Sequence, residues 1–154
     1  MDKTHIIHYT ELPYNDLGTS DMELLSRARE SIGSAHAPYS HFRVGAAVRL
    51  ASGEIVTGSN QENIAYPSGL CAERTALFAA SAQHPGQAVT ALAIIAQDPQ
   101  GRLVAANPCG ACRQVMAEYE MLHKTPIRII AYQNEACVQI FSGTASLLPF
   151  SFEM

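Results

Sequence analysis

Three segments of the chain are expected to form helices, the first of them because its apolar residues recur at helical spacing. The first of these segments is marked by Leu24, Leu25, Ala28 and Ile32, which recur at intervals of three and four residues. We expect this helix to end near Gly33. Residues 71–82, which are rich in alanine, and residues 109–122 are expected to form two further helices.

The start of the first helix carries a capping motif. Residues 20–23 read Ser-Asp-Met-Glu, which has the S-x-x-E form of a capping box. In such a box the hydroxyl and the carboxylate satisfy each other's free backbone donors. Ser20 and Glu23 are therefore expected to form hydrogen bonds within their own turn.

Five segments have the pattern of β-strands. They are residues 44–50, 55–58, 89–96, 127–132 and 137–141. A Ser-Gly turn joins the first two into a hairpin, and the third is a nearly unbroken apolar run, typical of a strand covered on both faces. The alternation of strands and helices predicts an α/β sandwich around one mixed sheet of five strands.

The first 19 residues are expected to form an arm rather than part of the body. Ile6, Ile7 and Tyr9 are apolar, but Pro13 and Gly18 interrupt any regular pattern. We interpret residues 1–19 as an irregular N-terminal arm that packs on the body or on a neighbouring subunit. Residues 20–154 are then expected to form a single domain.

Charge and hydropathy exclude several classes of partner. The 154 residues carry a net charge of −4 and no cluster of lysines and arginines, which disfavours binding to a polyanion. The chain contains no apolar run of about eighteen residues and does not begin with a basic segment followed by a long apolar run. We expect a soluble cytoplasmic protein that acts on a small neutral molecule and not on nucleic acid or membrane.

The chemistry of the chain is concentrated in its four cysteines, Cys71, Cys109, Cys112 and Cys137. The spacing of Cys109 and Cys112 puts both sulfurs on one side of a helical turn, and Cys71 also stands at a predicted helix start. Three thiolates with an open fourth position would make a catalytic zinc site. Spacing alone also leaves three alternatives, which are a structural zinc with Cys137 as fourth ligand, a redox dithiol and plain thiols. Cys137, however, lies in an alternating strand and is expected to be a core residue.

Charge balance gives a role to two arginines. Three thiolates around Zn²⁺ leave a net charge of −1, which opposes the acidification of bound water. Arg74 and Arg113 each follow a key residue directly and could donate hydrogen bonds to the sulfurs. Glu73 is two positions from Cys71, so both could serve one metal only if it lies beyond the helix end.

These motifs resemble those of a known family. Residues 71–76 (Cys-Ala-Glu-Arg-Thr-Ala) and 108–114 (Pro-Cys-Gly-Ala-Cys-Arg-Gln) are similar to the zinc blocks of the small, three-cysteine, homotetrameric cytidine deaminases. The resemblance extends from about residue 20 to Phe152. It includes the segments 38–42, 44–47, 60–63 and 147–149. It implies a three-layer α/β/α fold of the cytidine deaminase type.

The resemblance also implies a reaction. Cytidine and deoxycytidine would be hydrolysed to uridine and deoxyuridine with release of ammonia, as in pyrimidine salvage. One zinc ion per subunit, held by Cys71, Cys109 and Cys112, would activate a water molecule that attacks C4 of cytosine. Glu73 would take the proton of the water, pass it to N3 and help the amino group to leave, which is the mechanism established for zinc deaminases as a class.

Further residues are assigned by the resemblance to substrate binding. Phe42 would pack against the pyrimidine, and backbone groups around Ala72 and Cys109 would hold the base. Asn60 and Glu62 would form hydrogen bonds with the ribose 3′-hydroxyl.

The remaining assignments concern the subunit interface and the sulfurs. Tyr66 and Phe152 would reach the pocket of a neighbouring subunit, so that a homotetramer would share its sites. Arg74 and Arg113 would contact the zinc-bound sulfurs.

One departure and three alternatives accompany the resemblance. Ile64 stands where relatives usually have a small residue, close to the expected position of the ribose 5′ end. The substrate could be another cytosine compound, such as a nucleoside antibiotic. A non-catalytic zinc-binding module would have no use for Glu73, Asn60 or Glu62. A polynucleotide-editing enzyme would need a basic surface and usually has His where Cys71 stands.

Overall fold

The computed structural model describes residues 1–153, and Met154, the end of the expected domain 20–154, lies outside them. The helices and strands in chain order are β1 Thr10–Leu12, α1 Thr19–Ser31, β2 Arg43–Leu50, β3 Ile55–Ser59, α2 Ala72–Gln83, β4 Val89–Gln97, β5 Leu103–Val104, α3 Gly110–His123, β6 Arg128–Asn134 and β7 Cys137–Phe141. Short 3-10 turns occur at Tyr14–Asp16, Ile32–Ser34, Tyr66–Ser68 and Thr144–Ser146. The expected helices and strands are therefore present, with their ends shifted by a few residues at most.

The strands form one mixed sheet. Its order is β1-β7-β6-β4-β2-β3, with β5 paired to the end of β4. Among the strands that the structure describes, only β4 and β6 run parallel, with Ala91 opposite Arg128 and Ile94 opposite Ala131, and α3 lies on the crossover between these two strands. The hairpin predicted for β2 and β3 is confirmed, with Ala47 opposite Thr57.

Helices cover both faces of the sheet and make the expected three layers. On one face, α1 contributes Leu24, Leu25 and Ala28 to a buried cluster with β4 residues such as Ile95. On the other face, α2 and α3 pack against the alternate residues of the same strand, including Ile94. The strand β4 is thus buried on both sides, which explains its nearly unbroken apolar sequence. Within residues 1–153, no helix is long and apolar enough to cross a membrane.

Over residues 1–153 the sheet has seven strands rather than the expected five. The first additional strand comes from the arm: β1 pairs with β7, with Thr10 opposite Ile140, and the ring of Tyr9 stacks on Phe141 at 5.4 Å. The second is β5, which pairs with the end of β4 after the turn at residues 98–101. Both strands are too short to show a pattern of their own: β1 pairs with the free edge of β7, and β5 pairs with the end of β4 that extends past β6.

The capping box at the start of α1 does not form, so this prediction is wrong. The N-cap of α1 is Gly18, and no side chain caps the helix. Ser20 Oγ instead accepts a hydrogen bond from Arg49 Nη1 at 2.5 Å, and Glu23 forms an ion pair with Arg49 Nη2 at 2.7 Å. The strand β2 brings a guanidinium next to the first turn, and a charge-assisted bond to it is stronger than a bond to a backbone amide.

A glycine sets the distance between α2 and the sheet. A Cβ atom on Gly58 would lie 2.4 Å from the amide nitrogen of Ala76 and 2.8 Å from the carbonyl oxygen of Ala72. Because real Cβ atoms do not approach so closely, only glycine allows β3 to contact the backbone of α2. This close packing holds the first turn of α2, which carries the candidate catalytic residues, at its position above the sheet.

Candidate active site

Two helix N-termini converge at the cysteines. Cys71 is the N-cap of α2 and Cys109 is the N-cap of α3, both with extended backbone dihedral angles. Neither helix has a side-chain cap, so the backbone N–H groups of both first turns remain available. Two uncapped helix ends create a positive potential that stabilises thiolates.

Three sulfur atoms lie at the spacing of metal ligands. The Sγ atom of Cys109 is 3.7 Å from that of Cys71 and 3.5 Å from that of Cys112, and all three lie within 4.8 Å of one another. Tetrahedral zinc with bonds of about 2.3 Å holds its sulfur ligands about 3.8 Å apart. The donor set therefore fits zinc with one open corner. Cys137 is not part of this cluster. It was expected to be a core residue, but it is only half-buried on β7.

The thiols of the cluster do not ionise equally. The pKa of Cys71 is lowered to about 5, mainly because Cys112 donates a hydrogen bond to its sulfur and also because Arg74 Nη2 donates one at 3.6 Å. Burial opposes this shift. The pKa of Cys112 is raised, first because its thiol is held in the bond to Cys71 and then because it is buried. The cluster thus carries a thiolate at Cys71 next to the guanidinium of Arg74.

Arg113 does not have the expected partners. Its Nε atom donates to the carbonyl oxygen of Pro108 at 2.8 Å, and Nη1 donates to the carbonyl oxygen of Leu147 at 2.9 Å. The expectation that Arg113 contacts the sulfurs is therefore corrected. The Arg113 side chain reaches from α3 to the chain segment after β7. It supports Cys109 indirectly, because it holds the carbonyl group of Pro108, the residue directly before Cys109.

Glu73 lies at the inner end of the site. Its side chain is 3% exposed, yet it lines the cavity beside Cys71. Burial is the main cause that raises the pKa of its carboxyl group to about 7, and the negative charge of Cys71 raises it further. A carboxyl group with this pKa can both accept and donate a proton near neutral pH.

The site opens into one large cavity of about 720 Å³. Its wall includes the loop before β2, the segment 60–63 after β3, the first turn of α2 and the loop before α3. The residues of interest that line it are Tyr39, Ser40, Phe42, Asn60, Glu62, Tyr66, Cys71, Ala72, Glu73, Arg74 and Cys109. The volume is within the range of small-molecule sites, which fits the expectation of a small ligand.

Asn60 is fixed by backbone contacts. Its Oδ1 atom accepts a hydrogen bond from the amide of Val44 at 2.8 Å, and Nδ2 donates to the carbonyl oxygen of Phe42 at 2.9 Å. The side-chain amide has two hydrogens, so one donor remains available. Asn60 therefore holds the residues on both sides of Arg43 and still has a group for a ligand.

Glu62 is fixed by the loop opposite it. Its Oε2 atom accepts hydrogen bonds from the amides of Tyr39 at 2.9 Å and Ser40 at 3.3 Å, and Oε1 accepts one from the hydroxyl of Ser40. The Ser40 bond is the main cause that holds the pKa of Glu62 below its usual value. The carboxylate is thus ionised and has acceptor capacity left.

The other expected contacts are not all in this cavity. Ala72 lies in its wall and Tyr66 at its edge, where the Tyr66 ring meets Tyr39 edge-on at 6.0 Å. Phe152 and Ile64 do not line the cavity of their own chain and are strongly exposed, at 72% and 82%. The expected influence of Ile64 on the pocket is therefore not seen within a single chain.

Ser40 is the residue that sequence reasoning missed. It lies within the segment 38–42 that resembles the family, but its hydroxyl carries no signal of its own, because a serine two residues after a proline is an ordinary turn residue. The structure shows that this hydroxyl touches both Glu62 and the backbone of Phe42. No periodic pattern signals such a contact, since it joins residues 22 positions apart.

Comparison with known proteins gives consistent results. The family model for the cytidine and deoxycytidylate deaminase zinc-binding region matches residues 19–127. A cytidine deaminase of Halalkalibacterium halodurans is 43% identical over 95 residues, which are 62% of this chain and 68% of the relative. The cytidine deaminase of Mycobacterium tuberculosis is 38% identical over 108 residues, or 68% of this chain and 77% of the relative. A crystal structure of cytidine deaminase from Burkholderia pseudomallei, 37% identical, superposes with a TM-score of 0.71 over 84% of this chain and 97% of that one.

Proposed function

This chain belongs to the cytidine and deoxycytidylate deaminase family, and from that premise we propose how its own residues carry out the reaction. The protein is a zinc-dependent hydrolase that deaminates cytidine to uridine and ammonia. One observation carries the proposal: three sulfurs at tetrahedral spacing lie beside a buried carboxyl group, at the end of an open cavity.

Cys71, Cys109 and Cys112 would hold the zinc ion. Bound there, the metal supplies Lewis-acid activation of a water molecule. The two helix N-termini and the guanidinium of Arg74 offset the surplus negative charge of three thiolates. We propose one zinc ion per chain, because the three sulfurs form a single set of ligands.

Glu73 would move the protons of the reaction. In the metal-free chain, burial raises the pKa of its carboxyl group to about 7, and a carboxyl group that titrates near neutral pH can both take up and return a proton. We propose that it takes one proton from the attacking water and passes it to N3 of cytosine, and then takes the second proton of the same oxygen and passes it to the departing amino group. Its burial at 3% exposure keeps the carboxyl group away from bulk water during both transfers.

The outer part of the cavity would bind the nucleoside. Phe42 faces the cavity and offers an apolar surface to the pyrimidine, while the backbone near Ala72 and Cys109 would hold its polar edge. Asn60 has a free N–H donor and Glu62 a free acceptor position, which together suit a sugar hydroxyl. Both groups would read the 3′-hydroxyl, which deoxycytidine also has, so we propose that deoxycytidine is a second substrate.

Exposed aromatic residues support a shared site. Tyr66 is 76% exposed at the edge of the cavity, and Phe152 is 72% exposed away from it. Large aromatic rings in such positions are typical of subunit interfaces. We propose a homotetramer in which these rings complete the pocket of a neighbour. Sedimentation analysis showing a fully active monomer would contradict this arrangement.

We also propose that the enzyme works in the cytoplasm in pyrimidine salvage. A zinc site made of three thiolates requires reduced cysteines, and the cytosol maintains them. The domain would comprise residues 20–154, with residues 1–19 as an arm that adds β1 to its sheet edge. Removal of residues 1–9 should therefore leave turnover intact.

A substrate panel with and without metal tests the proposal. Purified protein should convert cytidine, followed as a change in ultraviolet absorbance with stoichiometric ammonia. A strong chelator should abolish the reaction, and added zinc should restore it. Bound zinc without conversion of any cytosine nucleoside would favour a non-catalytic zinc-binding module, a role that leaves the buried Glu73 beside the cysteines without a purpose.

A further inference from the structure

The loop of residues 39–42 connects two sides of the cavity through a single hydroxyl group. Ser40 Oγ donates a hydrogen bond to Glu62 Oε1 and accepts one from the backbone amide of Phe42 at 3.0 Å. The same loop supplies two more donors to Glu62, the amides of Tyr39 and Ser40. Ser40 is thus the one residue of the loop that contacts both the carboxylate and the residue bearing the aromatic ring.

The backbone of this loop needs the contact. His41, between Ser40 and Phe42, has a positive φ of 55°, which a residue with a side chain adopts only at a cost. The carbonyl oxygen of Phe42 is held by Asn60, and its amide is held by the Ser40 hydroxyl. Loss of the hydroxyl would release one of the two contacts that keep Phe42 facing the cavity and would let His41 relax.

The carboxylate depends on the same group. An ionised carboxylate has about four acceptor positions, and the loop occupies three of those on Glu62. Ser40 therefore fixes the plane of the carboxylate and leaves one position for a ligand donor. A hydroxyl on the sugar of a nucleoside is the donor that this position fits.

We propose that Ser40 is a positioning residue that orients Glu62 and Phe42 together, and so makes the enzyme favour nucleosides that carry a 3′-hydroxyl. This inference rests on the proposed function and adds to it. Ser40 acts through the two residues that would touch the sugar and the base, and it takes no part in the proton transfers.

The test compares two substrates rather than one. For wild type and Ser40→Ala, kcat/KM is measured with cytidine and with 3′-deoxycytidine, which lacks only the hydroxyl in question. We expect Ser40→Ala to lose about tenfold in kcat/KM for cytidine and about twofold for 3′-deoxycytidine, because the lost bond orients a group that the second substrate does not use. The loss should appear mainly in KM, and Ser40→Thr, which keeps the hydroxyl, should restore most of it.

Ser34→Ala is the matched control. The Ser34 hydroxyl also makes two contacts, with the carbonyl oxygen of Ser31 at 2.9 Å and with Ser59 Oγ at 3.0 Å, but it does not line the cavity. Its substrate ratio should equal that of wild type. Zinc content and Tm are recorded for every variant. If Ser40→Ala does not fold, Ser40→Cys replaces it, since a thiol of similar size is a much weaker donor and should lower the same ratio.

The outcomes separate this inference from the function on which it rests. An equal fold loss of kcat/KM on both substrates leaves the ratio of cytidine to 3′-deoxycytidine at its wild-type value. That result would overturn the role of Ser40 while the deaminase function stands. If wild-type protein with zinc converts no cytidine, the proposed function itself fails. A ratio that falls in Ser40→Ala and recovers in Ser40→Thr supports the inference.

Discussion

Nη2 of Arg74 donates a hydrogen bond to Sγ of Cys71 at 3.6 Å, one helical turn away at the start of α2. The Nε atom of the same guanidinium is buried and has no hydrogen-bond partner among the described residues. We interpret Arg74 as a group that, together with the two helix N-termini, compensates the negative charge of the cysteines.

Replacement of Arg74 should weaken the metal site. Arg74→Gln is expected to lower zinc affinity about 10- to 100-fold, the usual effect of removing a group that supports metal ligands. Competition with a chromogenic chelator measures this directly. Arg102→Gln is the control, because Arg102 pairs with Asp98 at an exposed turn. Equal affinities in both variants would remove Arg74 from the charge balance.

Arg113 should behave differently from Arg74. Arg113→Gln removes its charge-assisted bonds to the carbonyl groups of Pro108 and Leu147 but none to a sulfur. We expect a loss of about 2 kcal/mol in the free energy of unfolding, measured in urea on chelator-treated protein, with a smaller effect on zinc affinity than that of Arg74→Gln. Normal stability together with lost zinc would instead show that Arg113 acts on the sulfurs.

Glu73→Gln should separate metal binding from turnover. The variant is expected to keep its zinc and to lose at least a hundredfold in kcat, because the amide cannot shuttle a proton. Metal analysis and cytidine turnover on the same sample test this. Near-normal turnover in the variant would exclude Glu73 from the proposed proton transfers.

The same variant should change how stability depends on pH. In chelator-treated protein, burial raises the pKa of Glu73 from 4.5 to about 7, so the folded chain keeps a proton that the unfolded chain loses. The free energy of unfolding therefore falls as pH rises through this window and levels off above it. Glu73→Gln has no titrating carboxyl group at this position. Its free energy of unfolding relative to that of wild type should therefore rise by about 3 kcal/mol between pH 4.5 and pH 8. Parallel profiles would contradict the raised pKa.

Gly58 should be essential for the position of α2. In Gly58→Ala the new Cβ would lie 2.4 Å from the backbone nitrogen of Ala76, so the helix must move away from the sheet. We expect a loss of about 1–3 kcal/mol in stability and a reduced kcat, because the first turn of the same helix carries Glu73. Gly18→Ala is the matched control, since no atom lies within 4 Å of its Cβ and its φ is −62°. Urea unfolding compares the two variants.

Cys137 should be dispensable for zinc. It lies outside the cluster of three sulfurs, half-buried on β7. Cys137→Ser is expected to bind zinc as wild type does, whereas Cys112→Ser should lose it, as measured by atomic absorption. Loss of zinc from Cys137→Ser would instead support a structural zinc site in which Cys137 is the fourth ligand.

Local sequence patterns were sufficient for the framework of the protein. The periodicity around Leu24, the apolar run of β4 and the alternation in β7 predicted the elements, because each pattern reflects burial within one continuous segment. The spacing of Cys109 and Cys112 placed both sulfurs on one helical turn for the same reason. The position of Cys71 at another helix start made it a candidate third ligand, and the resemblance to a family then favoured the catalytic zinc site over its alternatives and named the reaction; the three sulfurs do lie together.

Only the tertiary structure decided the contacts between distant segments. Several contacts depend on segments of the chain that meet only after folding. They are the hydrogen bond of Ser40 to Glu62 and those of Arg113 to two carbonyl groups. The strand β1 exists because an edge of β7 is free to pair with it. The pKa of Glu73 follows from burial by several elements at once. Sequence patterns report the neighbours of a residue along the chain, whereas electrostatics and hydrogen bonding at a site depend on its neighbours in space.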